Sequence, residues 1–135
     1  MSHWAADLIG CPYSKGGEPG AYNCWSLVRH VFETRHGITM PIVAVADASA
    51  DNVAAIKRAA AVSGWRPADP PPADGDIVLM LNLLGERHVG VMVAANGRLG
   101  LLHAVQGAGV VWQTLEEVRG HGFRGFEFWR RAGKW

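Results

Sequence analysis

Three residues of this chain could carry nucleophilic chemistry together: Cys24, His88 and His103. Cys24 lies in the run Asn23-Cys24-Trp25-Ser26-Leu27-Val28-Arg29, behind a residue suited to cap a helix and after a loop rich in glycine and proline. A thiol in the first turn of a helix meets backbone N–H groups that have no partner within the helix, and the helix dipole adds to their pull on negative charge. That setting favours the thiolate, which is the nucleophilic form of cysteine. The two histidines flank Asn96-Gly97, a pair that strongly signals a two-residue hairpin turn. Pairing Ala95 with Arg98 across that turn sets His103 opposite Gly90. Gly90 shares a face with His88 because side chains alternate along a strand. The two imidazoles are then diagonal neighbours, about 7–8 Å apart at Cα and within reach of each other. His88 is expected to accept the Cys24 proton, and His103 to hold the His88 ring in one tautomer and orientation. A slip of one residue would put the rings on opposite faces and end this reading.

The other candidates are weaker. Cys24 taken alone could be a small core residue, since free cysteine is commonly buried. Cys11 reads as such a residue. His3, His30, His36 and His121 have no convergent partners in the sequence and read as surface or packing residues. Cys11, Cys24, His30 and His36 lack the close-paired spacing of zinc ligands, so neither a metal nor another cofactor is expected. Gly90 has no side chain and leaves space opposite His103 for both imidazoles or for an approaching helix.

Elements able to position these groups follow from pattern. Residues 3–9 read as a short helix and residues 10–22 as a loop dense in turn formers. The Asn23 amide caps a helix from Cys24 to about His36, with an apolar stripe of Leu27, Val28, Val31 and Phe32 and a stop at Gly37. The alanine-rich residues 51–62 read as a second helix. Residues 66–75, with Pro67, Pro70, Pro71 and Pro72, read as a rigid surface connector. Strands are expected at Ile77–Leu81, His88–Ala94, Arg98–Val105, Val110–Thr114 and Phe126–Arg130. Helices first and strands afterwards argue for an α+β domain.

The chain has 135 residues, which fits one domain spanning 1–135. Hydrophobic residues make up 49% and charged residues 19%, a globular rather than a disordered balance. A formal net charge of +1 gives no reason to expect nucleic acid as a partner. No apolar run is long enough to span a membrane. The N-terminal residues lack a basic segment followed by an apolar one, so no signal peptide is expected and synthesis in the cytoplasm follows. The basic C-terminal run from Arg130 to Trp135 reads as a solvated end.

The ordered motifs Gly10-Cys-Pro-Tyr-Ser-Lys-Gly-Gly, Asn23-Cys-Trp-Ser-Leu-Val, Gly75-Asp-Ile-Val, Arg87-His-Val-Gly-Val-Met-Val and Leu102-His-Ala resemble the NlpC/P60 family, most closely its short phage-tail-associated branch. The resemblance implies a papain-like α+β fold, with a helix-borne cysteine packed on an antiparallel sheet. It implies a peptidase that cuts peptidoglycan stem peptides, usually after D-γ-glutamate. The family's nucleophile falls on Cys24, its base on His88 and its orienting residue on His103. A tyrosine that lies near the nucleophile in relatives falls on Tyr13, where it either helps stabilise the oxyanion or packs at the loop edge. Many relatives have Asp-Cys-Ser-Gly where this chain has Asn23-Cys24-Trp25-Ser26, and in some the flanking Asp and Ser bind a free peptide amino end. Asn23 keeps the capping oxygen without the charge. Trp25 either lines the groove or, as the favoured reading, fills core volume. Asn23, Trp25 and Gly90 are thus the candidates for contact with substrate. The chain carries no wall-binding repeat, which implies delivery by a phage tail or a phage-derived particle. A structural tail component with a silent site, and a thiol-dependent amidase or acyltransferase on another small substrate, are the alternatives.

Overall fold

The computed structural model describes residues 3–15, 20–39, 57, 58, 61 and 64–131. A six-stranded antiparallel sheet forms the centre of the described chain. Its strands are β1 (Trp65–Ala68), β2 (Ile77–Leu81), β3 (Arg87–Ala95), β4 (Arg98–Val105), β5 (Gly109–Gln113) and β6 (Arg124–Arg131), in the spatial order β1-β6-β2-β3-β4-β5. Helix α1 (Cys24–His36) covers one face and the short helix α2 (Leu115–Gly120) borders the other. The architecture is the α+β, papain-like arrangement anticipated from the sequence.

Alternation along the strands divides the apolar residues between the two faces. Val89, Val91 and Val93 of β3 pack with Leu27, Val28, Val31 and Phe32 of α1, all nearly inaccessible to solvent. Met92 and Leu101 face the other way, toward Val118 of α2 and Phe128. The hairpin register sets these faces. Asn96 (φ 52°) and Gly97 (φ 76°) form the two-residue turn with both φ angles positive, and Ala95 pairs with Arg98.

Helix α1 begins with a reciprocal cap. Asn23 Oδ1 accepts the Ser26 N–H at 2.7 Å, and Ser26 Oγ accepts the Asn23 N–H at 2.9 Å. Gly37 ends the helix in the left-handed conformation (φ 66°). The loop before α1 is tied at its neck. Tyr13 and Tyr22 form a bridge, with Ser14 N–H donating to Tyr22 O and Tyr22 N–H to Pro12 O, both at 3.0 Å.

Three sequence expectations need correction. Residues 66–68 belong to a strand rather than to the connector. Pro67 is tolerated there because β1 is the edge of the sheet, where a missing N–H costs no interior ladder bond. Residues 115–120 form a helix that the sequence reading passed over. Its Thr114–Glu117 capping box supplied the signal, but the helix is only six residues long. Arg130 is no solvated end: its Nε and Nη2 grip the buried Asp76 carboxylate at 2.8 and 2.9 Å. The first helix is a single 3-10 turn at Trp4–Asp7. The helix expected over 51–62 lies outside the described residues except for Lys57, Arg58 and Ala61, which are helical.

Candidate active site

The two histidines meet as the register requires. His88 Nε2 and His103 Nδ1 are 2.9 Å apart, and the rings lie edge to face. Gly90 is what permits this. A Cβ there would fall 3.0 Å from His103 Cβ and 2.8 Å from Leu101 Cδ1, inside normal contact. On its far side His103 Nε2 lies 3.0 Å from Gln113 Oε1. Phe123 packs against both rings, with centroids 5.1 Å from His88 and 5.6 Å from His103. His103 is fully buried and His88 half-buried. Burial, reinforced by the neighbouring His103, pushes His88 down to about 3. Burial pushes His103 down to about 4 against the opposing pull of the Gln113 hydrogen bond, and nearby His121 adds to the depression. Both rings are therefore neutral at pH 7.

Cys24 reaches the sheet from the other face, at the N-terminus of α1. The backbone N–H groups of Val89, of Trp25 and of its own residue lie near its sulfur and favour the thiolate. The neighbouring Val89 N–H locates it. Met92 N–H donates to Asp76 O on the β2 side, so by alternation the Val89 N–H points toward β4. The β3–β4 ladder closes at Val91–Leu102, before Val89. The sulfur thus sits over the seam where β3 and β4 part, one residue along from His88. Among the described residues no hydrogen bond joins the Cys24 thiol to His88. The expectation of a thiolate is also corrected. Three N–H donors lower the thiol pKa, but burial outweighs them and pushes it up to about 11. The resting pair is neutral thiol and neutral imidazole.

Tyr13 lies close enough to Cys24 for a thiolate charge to raise it. Burial is the larger cause and Glu86 a smaller one, and together they keep the phenol protonated and able to donate. The three residues expected to touch substrate are committed elsewhere. Trp25 is buried in the core under α1, which agrees with its favoured reading. Asn23 is buried, caps α1, and donates from Nδ2 to Lys15 O at 2.9 Å. Gly90 is filled in by Leu101 and His103. Gln113 and Phe123 were missed by the sequence reading. The only sequence signal for Gln113 was parity: Val111 stands opposite His103, and Gln113 is two residues further along the same face.

Comparison with known proteins places these positions in a family frame. The NlpC/P60 family matches residues 10–122, a span holding Tyr13, Cys24, His88, His103 and Gln113. Among solved structures the chain is similar to an N-acetylmuramoyl-L-alanine amidase from Bacteroides uniformis. Identity is 24% and the TM-score 0.38, over 63% of this chain and 44% of that one. The chain thus spans less than half the length of that protein. No curated protein matches the sequence.

Proposed function

The chain belongs to the NlpC/P60 family, and we propose that it is a cysteine peptidase hydrolysing peptidoglycan stem peptides at the bond after D-γ-glutamate. The observation that carries this reading is the His88–His103 hydrogen bond, formed one residue from the Val89 N–H that lies near the Cys24 sulfur. In the proposed reaction the neutral Cys24 thiol gives its proton to His88 Nδ1 as the sulfur attacks the amide carbonyl. Moving the proton during attack avoids a free thiolate, which burial disfavours. The carbonyl oxygen becomes an oxyanion, for which the Cys24 N–H and the Tyr13 hydroxyl are the candidate donors. His88, now protonated, gives its proton to the leaving amine. Loss of the amine leaves a thioester; water then transfers a proton to His88 and its hydroxide equivalent to the thioester carbon, the C–S bond breaks to release the acid, and His88 returns its proton to the sulfur.

The closeness of the five motifs to the short phage-tail-associated branch supports delivery of the enzyme by a phage tail or phage-derived particle. One observation favours a second reading, a silent structural component of such a particle: the Cys24 thiol is buried and makes no hydrogen bond to His88. Incubation of the protein with a defined muropeptide, followed by mass spectrometry of the products, separates the readings. Cleavage after D-γ-glutamate is the expected result. Cleavage at the muramoyl amide instead makes the chain an amidase, and intact substrate favours the silent component.

A further inference from the structure

We infer that Gln113 is a positioning residue that sets the direction of the hydrogen-bond chain Gln113–His103–His88 and so leaves the lone pair of His88 on Nδ1. This rests on the reading of His88 as general base. The argument is one of donor and acceptor counting. Gln113 presents its amide oxygen, Oε1, to His103 Nε2 at 3.0 Å. An amide oxygen only accepts, so His103 Nε2 carries the hydrogen. A neutral imidazole has one N–H, so His103 Nδ1 is bare and can only accept. His88 Nε2, 2.9 Å away, must then be the donor. With its single hydrogen on Nε2, neutral His88 has its lone pair on Nδ1, the nitrogen not occupied by His103. That is the nitrogen a base needs to take a proton from Cys24.

Reversing the chain disables it. If His103 carried its hydrogen on Nδ1, it would donate to His88 Nε2, and the His88 hydrogen would move to Nδ1. No base would then face the thiol. His103 is fully buried, so an Nε2–H left without an acceptor carries the full penalty of an unpaired buried donor. Removing the Gln113 oxygen therefore favours the reversed chain. Neutrality of both rings is a premise, and their strong downward shifts supply it. The other groups that could disturb the chain are His121, beside His103, and Arg87, Lys57 and Glu127, which line a small cavity bordering His88. Lys57 and Glu127 neutralise each other as an ion pair at 3.0 Å.

The test compares the wild-type protein with Gln113→Met and Gln113→Glu. Long-range 1H–15N correlation of the imidazole nitrogens at pH 7.5 reads the tautomers without needing turnover. The wild type is expected to show hydrogen on Nε2 and none on Nδ1 in both His88 and His103. Gln113→Met is expected to move hydrogen to Nδ1 of both rings and to lower kcat about tenfold or more, with KM held within twofold. Gln113→Glu can only accept, so it should keep the wild-type tautomers at pH 7.5. Its charge raises the His103 pKa, and a protonated His103 would donate from Nδ1 and reverse the chain. The acid limb of kcat should therefore move upward by about one pH unit. Hydrogen on His88 Nδ1 in the wild type, or an unchanged tautomer pattern in Gln113→Met, would overturn the inference. Wild-type tautomers as expected in a protein that cleaves no muropeptide would leave Gln113 in its role and refute the peptidase reading instead.

Discussion

Gly90→Ala ties the fold to the site most tightly. The Gly90 backbone is not left-handed, so it accepts alanine and should gain about 0.5–1 kcal/mol from a less flexible unfolded chain. The added methyl is the problem. It would lie 2.8 Å from Leu101 Cδ1 and 3.0 Å from both Leu101 Cγ and His103 Cβ, where ordinary contact begins near 3.4 Å. Leu101 and His103 are both fully buried and sit on β4 in the middle of the sheet, so they cannot turn away into solvent. Overpacking of this kind costs about 1–3 kcal/mol, leaving a net loss of up to about 2.5 kcal/mol and a Tm lower by up to about 9 °C. His103 must also move by roughly half an ångström, stretching its 2.9 Å bond to His88. A displacement of that size should lower kcat about tenfold. Val31→Ala is the control: it removes two buried methyl groups beneath α1, away from the histidines, at a cost of about 2 kcal/mol. Thermal unfolding and muropeptide turnover at a temperature where both variants are folded give the comparison. Equal specific activity in the two variants would show that the methyl disturbs stability alone, and the packing account of the histidine pair would fail.

Three further outcomes follow from charge and burial. Alkylation of Cys24 by iodoacetamide, followed by peptide mapping, should be slow at pH 6 and rise about tenfold per pH unit toward pH 9, because the thiol pKa is pushed up to about 11; a plateau below pH 7 would instead reveal a resting thiolate–imidazolium pair. Stability should fall as pH drops from about 6.5 toward 4. The folded pKa values of His88 and His103 lie below the unfolded value, so the unfolded chain binds protons first, and each ring removes up to about 1.4 kcal/mol per pH unit in that window. A Tm that stays flat from pH 7 to 4.5 would contradict the burial of two neutral rings. Asp76→Asn should cost about 2–3 kcal/mol in denaturant unfolding. It breaks the pair with Arg130, whose side chain is 41% exposed and can recover part of its solvation; a loss under 0.5 kcal/mol would remove that pair from the stabilising contacts.

Much of this arrangement was legible in the residue order. Asn96-Gly97 fixed the hairpin register, and the register alone brought His88 and His103 onto one face. Asn23, the stripe from Leu27 to Phe32 and Gly37 marked α1 from end to end. What escaped depended on contacts between distant segments. Pro67 argues against a strand until β6 is seen to flank only one side of it. Gln113 carries no motif, and its role emerges only once the β4–β5 register sets it beside His103. The state of Cys24 turned on a competition that local sequence describes by halves. The helix N-terminus was readable, whereas the depth of burial beneath the sheet, which decides the outcome, was not.

Turnover of a defined muropeptide by the wild type, Cys24→Ala and His88→Gln, scored by product mass and initial rate, bears most directly on the whole account. Measurable cleavage by the wild type is expected, with none from Cys24→Ala and a residue of about 1% or less from His88→Gln. Cleavage by Cys24→Ala at the wild-type rate would mean that the sulfur at the β3–β4 seam is not the nucleophile.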